Sequence, residues 1–145
     1  MIWSIDPGET IGLAIWENDG FKRDQMKLDV DGLLSKLETY HGWLSRQSVE
    51  RIDKIIVEQW AFSPGKTQGG NKMVSSQVIG MVKLFARLID AEVVMQDPRI
   101  LKVSALHTGT PIPKNGHFDD DISAYLHGHY YFVVNGILKP PNQVH

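Results

Sequence analysis

Apolar and polar positions divide the chain into short alternating runs near its start and longer helical stripes beyond. Ile2 to Ile5 alternates weakly and stops at Asp6-Pro7-Gly8, a turn signal. Ile11 to Trp16 resumes an apolar stretch, and Asn18-Asp19-Gly20 is a hairpin signal. Phe21 to Leu28 then reads as a third, more polar strand, so the opening predicts a three-stranded antiparallel meander. Leu33, Leu34, Leu37, Tyr40, Trp43 and Leu44 recur at helical spacing behind Asp29 or Asp31, either of which can cap the helix. Lys54 to Glu58 is a short apolar run of strand type. Over Met73 to Asp90, the positions Val74, Val78, Met81, Val82, Phe85, Leu88 and Ile89 form a second helical stripe. Glu92 to Met95 reads as another strand, Asp97-Pro98 as the start of a short helix through Leu106, and Asp119 to Val133 as a final helix. Residues 63–72 hold one Pro, three Gly and two Lys and predict a mobile loop. Residues 107–116 predict a Gly/Pro loop, and Lys139-Pro140-Pro141-Asn142-Gln143 an extended tail.

A meander followed by alternating helices and strands predicts an α/β fold. Its five-stranded mixed sheet has three antiparallel strands and then two parallel ones, with helices on both faces. The 145 residues suit one domain over 1–145, with no internal repeat or linker. Hydrophobic residues make up 42%, which excludes a disordered chain. No apolar run approaches the ~20 residues of a membrane helix. Met1 to Ile5 lacks the flanks of a signal peptide. There is no cysteine, which excludes disulfides and thiolate metal sites and fits a cytoplasmic location. Net charge is −2, but unevenly spread: residues 1–60 carry 7 Lys/Arg against 11 Asp/Glu, residues 61–116 carry 7 against 3, and residues 117–145 carry 1 against 3. A basic middle between acidic ends is the pattern of a phosphate-facing surface beside a metal-binding core, or a chance fluctuation.

Candidate chemistry sits at the element ends. Asp6 closes the first apolar strand and Glu58 closes Ile55-Ile56-Val57. A carboxylate is costly there if buried and unpaired. Two at the ends of adjacent strands repel, unless a hard cation such as Mg²⁺ or Mn²⁺ takes their oxygens; each alone could equally be a solvated strand terminus or turn cap. His117-Phe118-Asp119-Asp120-Asp121 opens the last helix, where His117 and Asp120 share a face that Ser123, Ala124 and His127 continue. Asp119 and Asp121 read as partners of the helix dipole, and His127 and His129 as packing or surface histidines. Lys66 and Lys72 follow Glu58, and Lys102 and Lys114 bracket the loop before His117. All four are candidates for phosphate contacts.

These residues resemble the motifs of RuvC-type Holliday junction resolvases. Ile5-Asp6-Pro7-Gly8 with Gly12 is similar to the first motif, and Val57-Glu58-Gln59 followed by Trp60 and Phe62 to the second. Asp97-Pro98-Arg99-Ile100-Leu101-Lys102 looks like the family's Pro-x-x-x-Lys segment, and Gly109 to Lys114 like its Gly-rich stretch. His117-x-x-Asp120 resembles the last motif, although Phe118-x-x-Asp121 has the same spacing. The ordered set spans residues 2 to about 130.

The resemblance implies an RNase H-like fold and a phage-encoded homodimer that cuts branched DNA with two metal ions. It implies that Asp6, Glu58, His117 and Asp120 are catalytic residues and ligands of Mg²⁺, for which Mn²⁺ would substitute. Asp6 would bridge both ions, and Trp60 or Phe62 would stack on unpaired bases. The Met73–Asp90 helix, with small Ser76 and Gly80, is a candidate dimer element or simply packs on the sheet. Two rivals share the fold or the ligand: a nuclease for other DNA or RNA structures, and a non-catalytic nucleic-acid-binding domain. A sugar-kinase-like ATPase would need two such domains.

Overall fold

A computed structural model of the chain describes residues 1–47, 49–59 and 70–139, with the side chains of 70–72 not described. Three strands open it, β1 (Ile2–Asp6), β2 (Ile11–Trp16) and β3 (Lys22–Leu28), followed by α1 (Val30–Ser45) and β4 (Lys54–Glu58). Then come α2 (Gly70–Ile89), β5 (Glu92–Gln96), α3 (Ile100–Thr108) and α4 (Asp120–Val134). The five strands form one sheet in the order β3-β2-β1-β4-β5. β1 and β2, and β2 and β3, pair antiparallel, whereas β1 with β4 and β4 with β5 pair parallel. This is the mixed sheet that the hydrophobic pattern predicts.

The period-2 geometry of the strands splits the interior into two cores. On one face, Trp3, Ile5, Ile11, Leu13, Ile55 and Val57 meet Leu33, Leu37 and Tyr40 of α1 and Val78, Val82, Phe85 and Ile89 of α2. On the other, Ile2, Ala14, Trp16 and Ile56 meet Ala124, Tyr131 and Phe132 of α4. Polar groups inside this second core are paired. Trp16 Nε1 donates to Ser4 Oγ at 2.9 Å, and Ser4 Oγ donates to the Ala124 carbonyl at 2.6 Å. α4 lies close against β2 because two glycines allow it. A Cβ on Gly12 would overlap the Asp120 carbonyl, and one on Gly128 would overlap the Trp16 ring.

Several boundaries differ from the sequence reading. Asp29 is the cap of α1, accepting from Gly32 N at 2.6 Å. Leu34 and Trp43 lie on the α1 stripe yet are exposed; the stripe is wider than the face the sheet covers. Gly70, Asn71 and Lys72 belong to α2 rather than to a loop, and the rest of the expected loop, 63–69, lies outside the described residues. Asp97 and Pro98 precede α3 rather than open it; Arg99 N and Nη2 donate to the Asp97 carboxylate instead. Most consequential, α4 starts at Asp120, so His117 is not on that helix. Gly116 turns the chain at φ 75° and Asp119 enters the helix in extended conformation, which leaves His117 in non-helical backbone. Among the described residues, no helix is long and apolar enough to cross a membrane.

Candidate active site

The alternation that builds the second core also aims the acidic residues. On β1, Ile2, Ser4 and Asp6 share the face that α4 covers; on β4, Ile56 and Glu58 do; on β5, Val94 and Gln96 do. Asp6 stands opposite Gly12 in the β1–β2 ladder, directly where the first turn of α4 crosses. Three carboxylates therefore converge from β1, β4 and the α4 N-terminus.

Electrostatics confirm how closely they crowd. Burial, reinforced by the nearby charges of Glu58 and Asp120, pushes the Asp6 carboxyl up to about 8, against a hydrogen bond from Ser123 that favours its charged form. Asp120 is also pushed up, chiefly by desolvation, with Asp119, Asp121 and Glu58 adding to the shift and Lys27 opposing it. Asp6 and Asp120 also share a hydrogen bond, which favours a proton held between them. Asp121 turns the other way, to Gln25 Nε2 at 2.8 Å and Lys27 Nζ at 3.9 Å. Of the two registers open in the sequence, only Asp120 faces Asp6. Asp119 caps α4 without a side-chain hydrogen bond and lies 3.8 Å from Lys27 Nζ.

Glu58 is held from α4. Its Oε2 accepts from Ser123 Oγ at 3.2 Å and lies 2.8 Å from His127 Nε2. His127 is wholly buried. It is therefore not the surface histidine the sequence reading allowed, and its packing place is polar. Asp120, Ser123 and His127 fall at i, i+3 and i+7, the one signal in the sequence that ties them to a single face.

The remaining predicted residues are not gathered here. His117 is exposed; its backbone N–H donates to Asn115 Oδ1 at 3.0 Å, and no interaction described for Asp6, Glu58 or Asp120 involves it. Lys102 on α3 and Lys114 in the turn before His117 are exposed. Trp60, Phe62 and Lys66 lie outside the described residues, as does the side chain of Lys72.

The donor set suits a hard cation. Asp6, Glu58 and Asp120 offer only oxygen, and burial together with the charges of Glu58 and Asp120 is what raises Asp6. Among the described residues no group of three or more His, Asp or Glu is spaced to hold a metal ion; a phosphate oxygen and water would have to complete the coordination.

No family model and no curated protein matches the sequence. Solved structures do match. RuvC of Thermus thermophilus in complex with Holliday junction substrate superposes with a TM-score of 0.63 at 16% identity, covering 96% of this chain and 98% of that one. The Fowlpox virus resolvase in complex with Holliday junction DNA has a TM-score of 0.53 at 18% identity, covering 90% and 97%. The Fowlpox virus Holliday junction resolvase structure has a TM-score of 0.52 at 17% identity, covering 94% and 99%. The chain thus has the RNase H-like fold of RuvC over nearly its whole length.

Proposed function

We propose that this chain is a metal-dependent endonuclease that cleaves four-way junctions and related branched DNA by hydrolysing phosphodiester bonds. The observation that carries the reading is the convergence of Asp6, Glu58 and Asp120 on one end of the sheet, with the Asp6 carboxyl held up to about 8. The shared fold supports it, since the neighbours of that fold were captured on Holliday junction DNA.

Two Mg²⁺ ions, or Mn²⁺ in their place, would activate a water and neutralise charge on the leaving oxygen. Asp6, which interacts with both other carboxylates, would hold the ions together with Glu58 and Asp120. Ser123 Oγ donates to Glu58 Oε2 and also hydrogen-bonds with the Asp6 carboxyl, so one hydroxyl links the two side chains. His117, exposed and three residues ahead of Asp120 in the chain, would serve as the base for the attacking water. Lys66, Lys72, Lys102 and Lys114 neutralise backbone phosphates, and Trp60 or Phe62 stacks on bases opened at the branch. A two-fold homodimer matches the symmetry of a four-way junction.

Side-by-side cleavage of a four-way junction, a flap, a linear duplex and an RNA/DNA hybrid in Mg²⁺ tests this. The four-way junction is expected to be cut fastest, with no cutting in chelator. Asp6→Asn is expected to bind the junction and lower its cleavage by at least about 10³-fold. Preference for the hybrid would overturn the junction reading, and undiminished cutting by Asp6→Asn would overturn the site.

A further inference from the structure

The most deeply buried polar side chain beside the carboxylates has no part in the reaction as proposed. His127 lies on α4 with no exposed surface. Its Nε2 is 2.8 Å from Glu58 Oε2, and its Nδ1 is 2.8 Å from Gln96 Oε1. Glu58 and Gln96 are register partners at the ends of β4 and β5, so one ring ties two strand ends to the helix that carries Asp120. Gln96 is itself buried, at 8% exposure. Filling this space with an apolar side chain would be simpler than burying an imidazole and an amide, whose polar atoms must all find partners.

We infer that Gln96 and His127 form a positioning relay that orients the Glu58 carboxylate toward a divalent cation. The inference rests on the proposed reading of Glu58 as a metal ligand. Glu58 Oε2 is committed to His127 and Ser123, while Oε1 accepts no hydrogen bond among the described residues and is the oxygen left for a cation. A cation-bound carboxylate is ionised and can only accept, so Nε2 carries the proton that points at Glu58. Nδ1 then accepts from the Gln96 amide nitrogen, the amide being turned over about its own axis, since amide oxygen and nitrogen fill the same space. Gln96 fixes the ring, the ring fixes one carboxylate oxygen, and the other is presented in a single direction. Carboxylate ligands held by such outer partners bind metal more tightly than free ones.

The test is Mn²⁺ affinity of the intact chain without DNA, by calorimetry or by the electron paramagnetic resonance of free Mn²⁺. Melting curves in chelator check that each variant is folded. Relative to the unsubstituted chain, His127→Met is expected to weaken Mn²⁺ binding by about 10–100-fold. His127→Gln, whose amide nitrogen reaches the Nε2 position, is expected to recover affinity to within about threefold, because the donor to Glu58 is restored. Gln96→Met is expected to fall between them. A folded His127→Met with unchanged affinity overturns the relay, as does a His127→Gln as weak as His127→Met. If His127→Met does not fold, Gln96→Met decides, and unchanged affinity there overturns the relay. Absence of Mn²⁺ binding by the unsubstituted chain, or an Asp6→Asn variant that binds as tightly, removes the metal reading itself and the relay with it.

Discussion

At the scale of the residue, Asp6 is a group whose folded environment opposes its charge. Its carboxyl titrates near 8 in the fold against an ordinary value of 3.8. Between those values the metal-free folded state holds a proton that the unfolded state has released. Stability of the metal-free protein therefore falls as pH rises from about 4 through 8. Asp120, also pushed up, adds to the same trend. Removing the charge should reverse it. In chelator at pH 8.5, Asp6→Asn is expected to melt several degrees above the unsubstituted chain, each kcal/mol being worth about 2–4 °C at this size. The gap should close near pH 4, and Mg²⁺ should raise the melting temperature of the unsubstituted chain more than that of the variant. Equal melting of the two in chelator at pH 8.5, read by differential scanning fluorimetry, would count against a crowded carboxylate cluster.

At the scale of the element, the strands were the readable part. Period-2 alternation through Ile2, Ser4 and Asp6, and through Ile56 and Glu58, puts both carboxylates on one face before any tertiary contact is known. The start of α4 was less readable, because His117, Phe118 and Asp119 suit a first helical turn as well as a coil does, and Gly116 settles the matter only through its positive φ. The Asp120 and Asp121 registers are equivalent by spacing and are separated only by what each faces, Asp6 in one case and Gln25 with Lys27 in the other. His127 carried a helical-face signal, but its partners come from strands 31 and 69 residues away, a pairing no local pattern contains. The seating of α4 likewise depends on the missing side chain at Gly12. Gly12→Ala should push the first turn of α4 off β2, costing about 1–3 kcal/mol by urea unfolding and weakening Mn²⁺ binding in parallel. A variant as stable as the unsubstituted chain would show that the helix has room to spare.

At the scale of the whole molecule, the two cores have different company. The second is closed over by α4, whereas α2 seals the first core with Val78, Val82, Phe85, Ala86 and Ile89 and turns Met73, Leu84 and Leu88 outward at 58%, 61% and 63% exposure. The stripe expected as either a dimer element or a sheet-packing face thus divides: its inner side packs, and an apolar ridge remains outside. Exposed apolar ridges of this kind mark contact surfaces, and we assign this one to the proposed homodimer. Leu84→Glu with Leu88→Glu is expected to give a monomer by light scattering with melting preserved to within a few degrees, since exposed positions contribute little to stability. Paired cutting of the two junction strands should fail with it. A monomeric unsubstituted chain, or a doubly substituted dimer, would place the interface elsewhere.

The contact of α4 with Gly12 also bears on how freely the rest of the protein can be altered. There, main chain rests on main chain, with the Asp120 carbonyl against a strand that has no side chain to intervene. The separation between the helix end and β2 is set by a mechanical stop rather than by the sum of surrounding side-chain volumes. Residues deeper in that core, such as Phe132 and Tyr131, can be exchanged for others of matching bulk to raise thermal tolerance without the helix end drifting, so an engineer can retune the interior and leave the spacing of the acidic cluster alone.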